Sequence, residues 1–457
     1  MLRLIFKRLS LVLVVNSRAS PFSHGLFVSN FFLRPMSEIS SSLTDPQNLT
    51  SYLRNSCGLS QKSAISVSKK LLIENPEKAG TVLELMRTHG LTQIHIEKII
   101  RTRPALLLVD LEHKLRPNME LFESLGFSGA SLGKVLIKEP RLLHSDLVDT
   151  IDFFKAQGFS DKQLAMIIIK LPTLLLFNTT KVFKPKLDFF RSMGFTDEDV
   201  AKILSQCPYI LRRGLGNHIM PSVEVLKRVL GTNEDVLKVI KVGYYILDDN
   251  LERNLVPNMS IFKSYGVPEP YILRSFVLHP RTLLLRPGHV TEILAEVVKL
   301  GFDPNTRLFV LAFSSMALQS KTLWEKKLEA YKSFGLSEDQ VYSAFRLQPM
   351  FMITSVKKIK KVMNFFMTKV SIEPSEICRY PILLLYSLEK RIIPRCTVLQ
   401  LLMSNGFMKE DVKLFSYLTM TEEKFVENLV MKYQNVLPDI VKAHKGNIEF
   451  QGFAGIV

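Results

Sequence analysis

A proline followed by a leucine-rich stretch recurs along this chain of 457 residues. Successive prolines lie 32 or 36 residues apart, except for two gaps of 72 and 69 residues. They are Pro104, Pro140, Pro172, Pro208, Pro280, Pro349 and Pro381. At the midpoints of the two long gaps, Tyr244 and Ser315 stand in place of the proline. A fixed period of this length indicates a solenoid of stacked repeats, rather than the two or three globular domains that length alone would predict.

A second set of prolines lies 13 residues after members of the first set, counting Tyr244 as one: Pro117, Pro185, Pro221, Pro257 and Pro394. Proline suits the first position of a helix, because its missing N–H would be unpaired there, so we predict a helix starting at each second proline. That helix should end at a glycine such as Gly194. A capping signal such as Ser160-x-x-Gln163 then opens a second helix, which the next proline of the first set ends.

Each unit therefore reads as helix, glycine turn, helix, proline and short turn. No stretch shows a comparably strong strand alternation. The predicted fold class is all-α, an α-solenoid of about nine repeats with capping helices at its ends. Paired phenylalanines at helical spacing, such as Phe153-Phe154 and Phe189-Phe190, are expected in the core rather than as base-stacking platforms.

The chain divides into five predicted regions. Residues 1–37 contain five cations and no acid, which is typical of an organelle transit peptide. A secretory signal fits less well, because the acid-free stretch continues past its short apolar run. We expect a mitochondrial location, with the chloroplast as the alternative. The other predicted regions are a linker and first helix at 38–60, an N-terminal capping repeat at 61–103, regular repeats at 104–420, and C-terminal capping helices with a tail at 421–457.

Composition narrows the function. A net charge of +17 and a pI near 9.5 favour a polyanionic partner. The four cysteines contain no CxxC pair, which argues against a zinc ribbon or a disulfide framework. No apolar run reaches the ~18 residues of a membrane span. No metal-binding, phosphate-cradling or nucleophile motif is present, so we expect neither an enzyme nor a cofactor.

The repeat signature, with its GFS and GFT turns and with second prolines in KPKLDFF and LVPNMSIF, resembles the mitochondrial transcription termination factor (mTERF) family. The run from Tyr380 to Arg395 is similar to its plant members. The resemblance spans about residues 50–445. It implies a left-handed α-solenoid of three-helix units whose concave basic face holds nucleic acid. It also implies a role in transcription termination or initiation, intron splicing or ribosomal RNA maturation. Tyr244 and Ser315 depart from the pattern, so the groove is expected to be irregular there.

Candidate phosphate contacts occupy the position four residues before each second proline or its equivalent. This position should immediately precede a helix N-terminus, which favours an anion. Its cations and histidines are His113, Lys181, Arg253, His289, Lys358 and Lys390. Further candidates lie near either proline or in the densest cationic run: Arg103, Lys138, Arg141, Lys184, Arg212, Arg213, Arg281, Lys357, Lys360, Lys361 and Arg395. Solvent exposure or helix-dipole capping explains many of them equally well, and Asp149 and Trp324 interrupt the row.

These observations favour a non-enzymatic, nucleic-acid-binding organelle protein that acts as a monomer on double-stranded DNA, RNA or both, and that regulates gene expression by transcription termination or a related step. One alternative is an RNA-binding factor for intron splicing or ribosomal RNA maturation. Another, from a different class, is a protein-interaction scaffold in an organelle ribosome or transcription complex, because helical solenoids often present a face to proteins.

Overall fold

The computed structural model describes residues 45–409 and 413–453, and every regular element in these ranges is helical. The prediction of an all-α repeat array is thus confirmed. The segment predicted as a transit peptide lies outside the described residues. The chain forms two compact units that meet in sequence between Asp249 and Asn250. Each unit is described separately.

The first unit contains twelve α-helices within residues 45–249. They are α1 (Pro46–Asn55), α2 (Gln61–Ser68), α3 (Pro76–Thr88), α4 (Gln93–Thr102), α5 (Arg116–Ser124), α6 (Gly129–Lys138), α7 (Val148–Ala156), α8 (Asp161–Lys170), α9 (Lys184–Ser192), α10 (Asp197–Gln206), α11 (Met220–Leu230) and α12 (Asn233–Val242). Short 3₁₀ turns follow the second helix of each repeat, at Pro104–Leu108, Pro140–Leu143, Pro172–Leu176, Pro208–Arg212 and Tyr244–Asp248.

The second unit continues the pattern through residues 250–409 and 413–453. Its helices are α13 (Leu251–Ser264), α14 (Glu269–Leu278), α15 (Pro287–Lys299), α16 (Arg307–Ala317), α17 (Lys321–Lys332), α18 (Glu338–Leu347), α19 (Val356–Lys369), α20 (Pro374–Arg379), α21 (Ile393–Ser404), α22 (Leu414–Thr419), α23 (Glu422–Phe425) and α24 (Asp439–His444). Its 3₁₀ turns are Pro280–Leu284, Pro349–Ile353 and Pro381–Leu384.

The turn chemistry inside the repeats follows the sequence. Gly158 and Gly194 have φ values of 87° and 99°, a left-handed conformation that other residues rarely adopt. Ser160 and Gln163 form a reciprocal capping box at the start of α8, in which the Ser160 N–H donates to Gln163 Oε1 over 2.9 Å. The proline of the first set both ends the second helix and begins the 3₁₀ turn, because it has no N–H for the helical ladder.

The predicted start of the first helix holds only for its α-helical part, because the second proline is the second residue of α5, α9, α11 and α21. Helical backbone begins about six residues before the second proline, in five-residue π turns at Leu111–Leu115, Thr179–Phe183, Leu215–Ile219 and Leu388–Ile392. Proline lacks the N–H that would bond to the carbonyl four residues earlier, and its ring clashes with that carbonyl. The backbone responds with wider bonds, as where the Arg116 N–H bonds to the Leu111 carbonyl five residues back.

Aromatic side chains fill the core beside the glycine turns, as the sequence predicts. Phe154 and Phe190 are at most 1 % exposed, whereas Phe153 and Phe189 are half-buried. Phe154 meets Phe159 edge-on with ring centroids 5.1 Å apart, and Phe190 meets Phe195 in the same way at 5.9 Å. The first helix of a repeat is thereby pinned to the turn that follows it.

A set of buried polar side chains, not predicted from the sequence, closes individual repeats. Each lies on a first helix and donates to a carbonyl of the 3₁₀ turn that ends the same repeat. The bonds run from Asn118 Nδ2 to Leu142 O (3.0 Å), from Lys186 Nζ to Leu211 O, from Asn258 Nδ2 to Leu283 O (2.9 Å) and from Lys327 Nζ to Met352 O (2.7 Å). These residues are called the buried donors below. They satisfy carbonyls that a short 3₁₀ turn leaves without a helical partner.

Candidate nucleic-acid interface

The helix-start candidates lie inside the first turn of their helices, which corrects the prediction that they precede it. The backbone N–H groups of His113 and Lys181 each donate to an N-cap side chain over 2.8 Å, and Arg253 and Lys390 do so over 3.1 Å. The acceptors are Asp110, Asn178, Asn250 and Ser387. At these four positions the backbone N–H group that was expected to attract an anion therefore already donates to an N-cap side chain of the protein.

The side chains at these positions differ in availability. His113 Nδ1 lies 3.2 Å from Asp110, and His289 Nδ1 lies 3.3 Å from Glu292. Lys358 donates to the Leu385 carbonyl over 3.0 Å, and burial lowers its pKa. The exposed cations of the set are Lys181, Arg253 and Lys390. The position is thus a mixed one, and only Lys181, Arg253 and Lys390 combine an exposed side chain with a permanent positive charge.

Arg395 must be removed from the surface candidates, because its side chain is 1 % exposed. Its Nη1 donates to the carbonyls of Tyr417, Leu418 and Met420, and its Nη2 lies 2.6 Å from Glu422 Oε2. Its guanidinium also lies 4.4 Å from the ring centroid of Phe425. Arg395 stands directly after a second proline, where Asn118, Lys186 and Asn258 stand in other repeats. It secures the segment around α22 and α23.

The remaining second-unit candidates are surface residues. Lys357 and Lys360 are exposed on α19, and Lys361 pairs with Glu389. Arg281 is exposed in the 3₁₀ turn that begins at Pro280. In the first unit, Lys184 pairs with Asp188 at 2.7 Å.

The candidates beside the first-set prolines in the first unit form a continuous edge, linked from one repeat to the next. Arg103 Nη2 lies 3.4 Å from His144 Nε2 in the following repeat. Lys138, at the end of α6, donates to the Ile169 carbonyl of α8 over 2.7 Å. Lys170, at the end of α8, donates to the Gln206 carbonyl of α10 over 2.6 Å.

The cationic edge is defined as Arg103, Lys138, Arg141, Lys170, Arg212 and Arg213. Lys138, and Lys170, which was not a candidate, each cap the last turn of the following second helix and not only their own. A bond to a neutral carbonyl leaves the ammonium charge in place. The cap therefore also fixes the position of a positive charge along the edge.

The edge is only partly neutralised by acids. Arg141 Nε lies 2.7 Å from the buried carboxylate of Glu139, whose pKa this bond lowers. Arg213 Nε lies 2.6 Å from Asp248. Burial lowers the pKa of His144, and the positive charges of Arg103 and Arg141 lower it further. The local potential around His144 is thus positive despite Glu139.

Comparison with known proteins agrees with this architecture. The mTERF family model matches residues 83–153, 144–300 and 306–426, about three quarters of the chain. The chain belongs to the mTERF family. A similar mTERF protein is the chloroplastic transcription termination factor MTERF8 of Arabidopsis thaliana, 25 % identical over 163 residues. That alignment covers 36 % of this chain and 32 % of MTERF8.

mTERF membership supports a coarse assignment as an organellar nucleic-acid-binding regulator of gene expression. Within residues 45–409 and 413–453, no group of three or more His, Cys, Asp or Glu side chains is placed to hold a metal ion. No helix in the same ranges is long and apolar enough to cross a membrane.

Proposed function

We propose that this mTERF protein binds the phosphate backbone of organelle nucleic acid along the cationic edge of its first unit. The observation that carries the proposal is the succession of Arg103, Lys138 and Lys170 on consecutive repeats, each held by a contact to the next repeat. Regularly spaced and preoriented cations suit a polymer with regularly spaced charges. Lys181, Arg253 and the exposed lysines of α19 extend the set of proposed contacts.

Its proposed role is regulation of organelle gene expression, in the first place transcription termination or its regulation, with the protein acting as a monomer on its target. Intron splicing or ribosomal RNA maturation is the alternative at the same surface, because phosphate contacts do not distinguish DNA from RNA. The location we propose is the mitochondrion. The name of the Arabidopsis relative places that protein in the chloroplast, in line with the alternative.

The test is equilibrium binding of the full chain to a 30-base-pair duplex and to a hairpin RNA, measured by fluorescence anisotropy between about 50 and 200 mM salt. Each lost phosphate contact lowers the slope of log affinity against log salt by about 1. We expect this for Arg103→Gln, for Arg212→Gln and additively for the pair. The exposed Lys78→Gln, on α3, is the matched control. Unchanged slopes in all three edge variants would refute the proposed surface.

A further inference from the structure

The repeat built on α15 and α16 differs from its neighbours in three linked ways. Ser315 replaces the proline, no 3₁₀ turn separates α16 from α17, and residues 318–320 alone join them. Ile293 stands seven residues after the N-cap of its helix, Arg286, just as the buried donor Lys327 stands seven residues after its N-cap, Ser320. The donor position of this repeat is therefore apolar. A buried donor or carbonyl without its partner costs about 1–3 kcal/mol. Losing the turn and its donor together avoids that penalty.

A cavity of about 350 Å³ lies in this repeat, between α15, the link after α16, and α17. In the preceding repeat, a 3₁₀ turn packs against the first helix, as Pro280–Leu284 packs against α13. Here Ile293 of α15 lines open space instead, together with Met316 and Leu328. The cavity thus lies beside α15, the first helix of the repeat that lacks a 3₁₀ turn. Its volume is at the lower end of the range for ligand pockets.

Trp324 forms one wall of this cavity. Its side chain is 8 % exposed and meets Phe345 edge-on, with ring centroids 5.2 Å apart. It is the sole tryptophan of the chain. A rigid aromatic wall over an aliphatic floor is the surface that large apolar anchors of protein partners prefer.

Carboxylates outnumber ammonium groups at the rim of the cavity, although the chain as a whole is basic. Glu325, Glu329 and Glu338 line it together with Lys321, Lys332 and the imidazole of His289. Lys321 lies 3.6 Å from Glu325, and Lys332 lies 2.7 Å from Glu338, so each ammonium is paired with a carboxylate. Glu329 adds a third carboxylate one turn after Glu325. The rim therefore disfavours a polyanion and favours a cationic partner.

We propose that this cavity, lined by Trp324 and rimmed by Glu325, Glu329 and Glu338, docks a segment of a partner protein. The segment would insert one large apolar side chain and place an arginine or lysine beside it. The apolar side chain would cover Ile293, Met316 and Leu328, while its basic neighbours would meet the carboxylates of the rim. The cavity belongs to the second unit, whereas the cationic edge belongs to the first.

Trp324 fluorescence provides a direct assay for the full chain. Three blocked hexapeptides serve as probes: Gly-Arg-Phe-Leu-Arg-Gly, the acidic Gly-Glu-Phe-Leu-Glu-Gly and the truncated Gly-Arg-Ala-Ala-Arg-Gly. None contains tryptophan, so excitation of indole reports on Trp324 alone. We expect the fluorescence of Trp324 to change saturably with the first peptide, with a dissociation constant below about 1 mM. We expect no change with the other two peptides.

Charge reversal tests the rim. The double variant Glu325→Lys with Glu329→Lys should weaken binding of the basic peptide by about tenfold, because two attractions become repulsions. Glu427→Lys changes an exposed carboxylate outside the cavity and should leave the affinity unchanged. Calorimetric titration of the same peptides checks the fluorescence result.

The proposal is overturned if the basic peptide does not saturate, if the alanine peptide binds equally well, or if the double charge reversal leaves the affinity unchanged. Nucleic-acid binding does not enter any of these outcomes, so failure here leaves the cationic edge unaffected.

Discussion

Replacing Arg395 by methionine tests the reassignment of this residue from phosphate ligand to internal clamp. The guanidinium supplies three carbonyl bonds, of 2.6 to 3.1 Å, and one carboxylate bond of 2.6 Å. Methionine keeps much of the apolar stem volume but removes every donor. The carbonyls of Tyr417 and Leu418 would then lose this donor, whereas the carbonyl of Met420 keeps a bond from Arg391 Nη2.

The expected cost follows from the burial of this group. Breaking a buried ion pair by removing one partner destabilises by about 3–5 kcal/mol. Part of this cost is offset because Glu422, half exposed, regains water and keeps His444 at 2.7 Å. We therefore expect a loss near 3 kcal/mol, confined to the repeats around α21 to α24, because solenoids transmit stability mainly between neighbours.

Amide hydrogen exchange measured by mass spectrometry reads this local effect directly. Peptides from α21 and α24 should exchange about a hundredfold faster in Arg395→Met, whereas peptides from α5 and α6 should be unchanged. Lys390→Met is the matched control, because Lys390 is exposed on the preceding π turn and should change stability by less than about 0.5 kcal/mol. If Arg395→Met exchanged like the parent chain but lost nucleic-acid affinity, Arg395 would be a surface ligand after all.

Three further predictions concern buried polar groups. Asn258→Leu should cost about 2–4 kcal/mol in urea unfolding, because it strands the carbonyls of Leu283 and Leu285, while Ser260→Ala on the exposed face should cost little; equal effects would contradict this. Burial lowers the pKa of Lys327 to about 8, so between about pH 8 and 10.5 the unfolded chain holds one more proton than the folded chain. The free energy of unfolding should therefore rise with pH in that window relative to Lys327→Gln, and the same pH dependence in both proteins would count against this. Because the bond from Arg141 lowers the pKa of Glu139 below 4.5, the stability advantage over Glu139→Gln should be present at neutral pH and disappear as acid protonates the folded carboxyl; thermal melts from pH 7 to 3 check this.

The period of the fold could be predicted from the sequence because its signals are local. A proline that cannot continue a helix, a glycine with φ near 90° and a Ser-x-x-Gln capping box act within a few residues of chain. They set the order of helix, turn and helix correctly around Gly158, Ser160 and Pro172. The start of the first helix was misplaced because the second proline was read as its first residue, whereas a π turn lets the helix run through it.

The candidate site was only partly predictable. The identity of residues such as Arg103 and Lys138 marked them as cations near helix ends, and the tertiary structure aligned them by contacts 31 to 41 residues apart in sequence. The same signal marks Lys170, which stands two residues before Pro172 as Lys138 stands two residues before Pro140, but its partner carbonyl in the next repeat could not be read from it. One signal was available but not used: a polar residue directly after the second proline, in Asn118, Lys186 and Asn258, breaks an apolar helical face.

By itself, the sequence determined that this chain is a helical repeat protein with a basic surface, because proline spacing, capping and charge are properties of short segments. Only the tertiary structure decided which cations remain at the surface. Arg395 and Lys181 are both cations within four residues of a second proline, yet Arg395 bonds to carbonyls more than 20 residues away and Lys181 reaches solvent. The tertiary structure alone also decided the cavity at Trp324, because a cavity depends on how closely helices that are distant in sequence pack together.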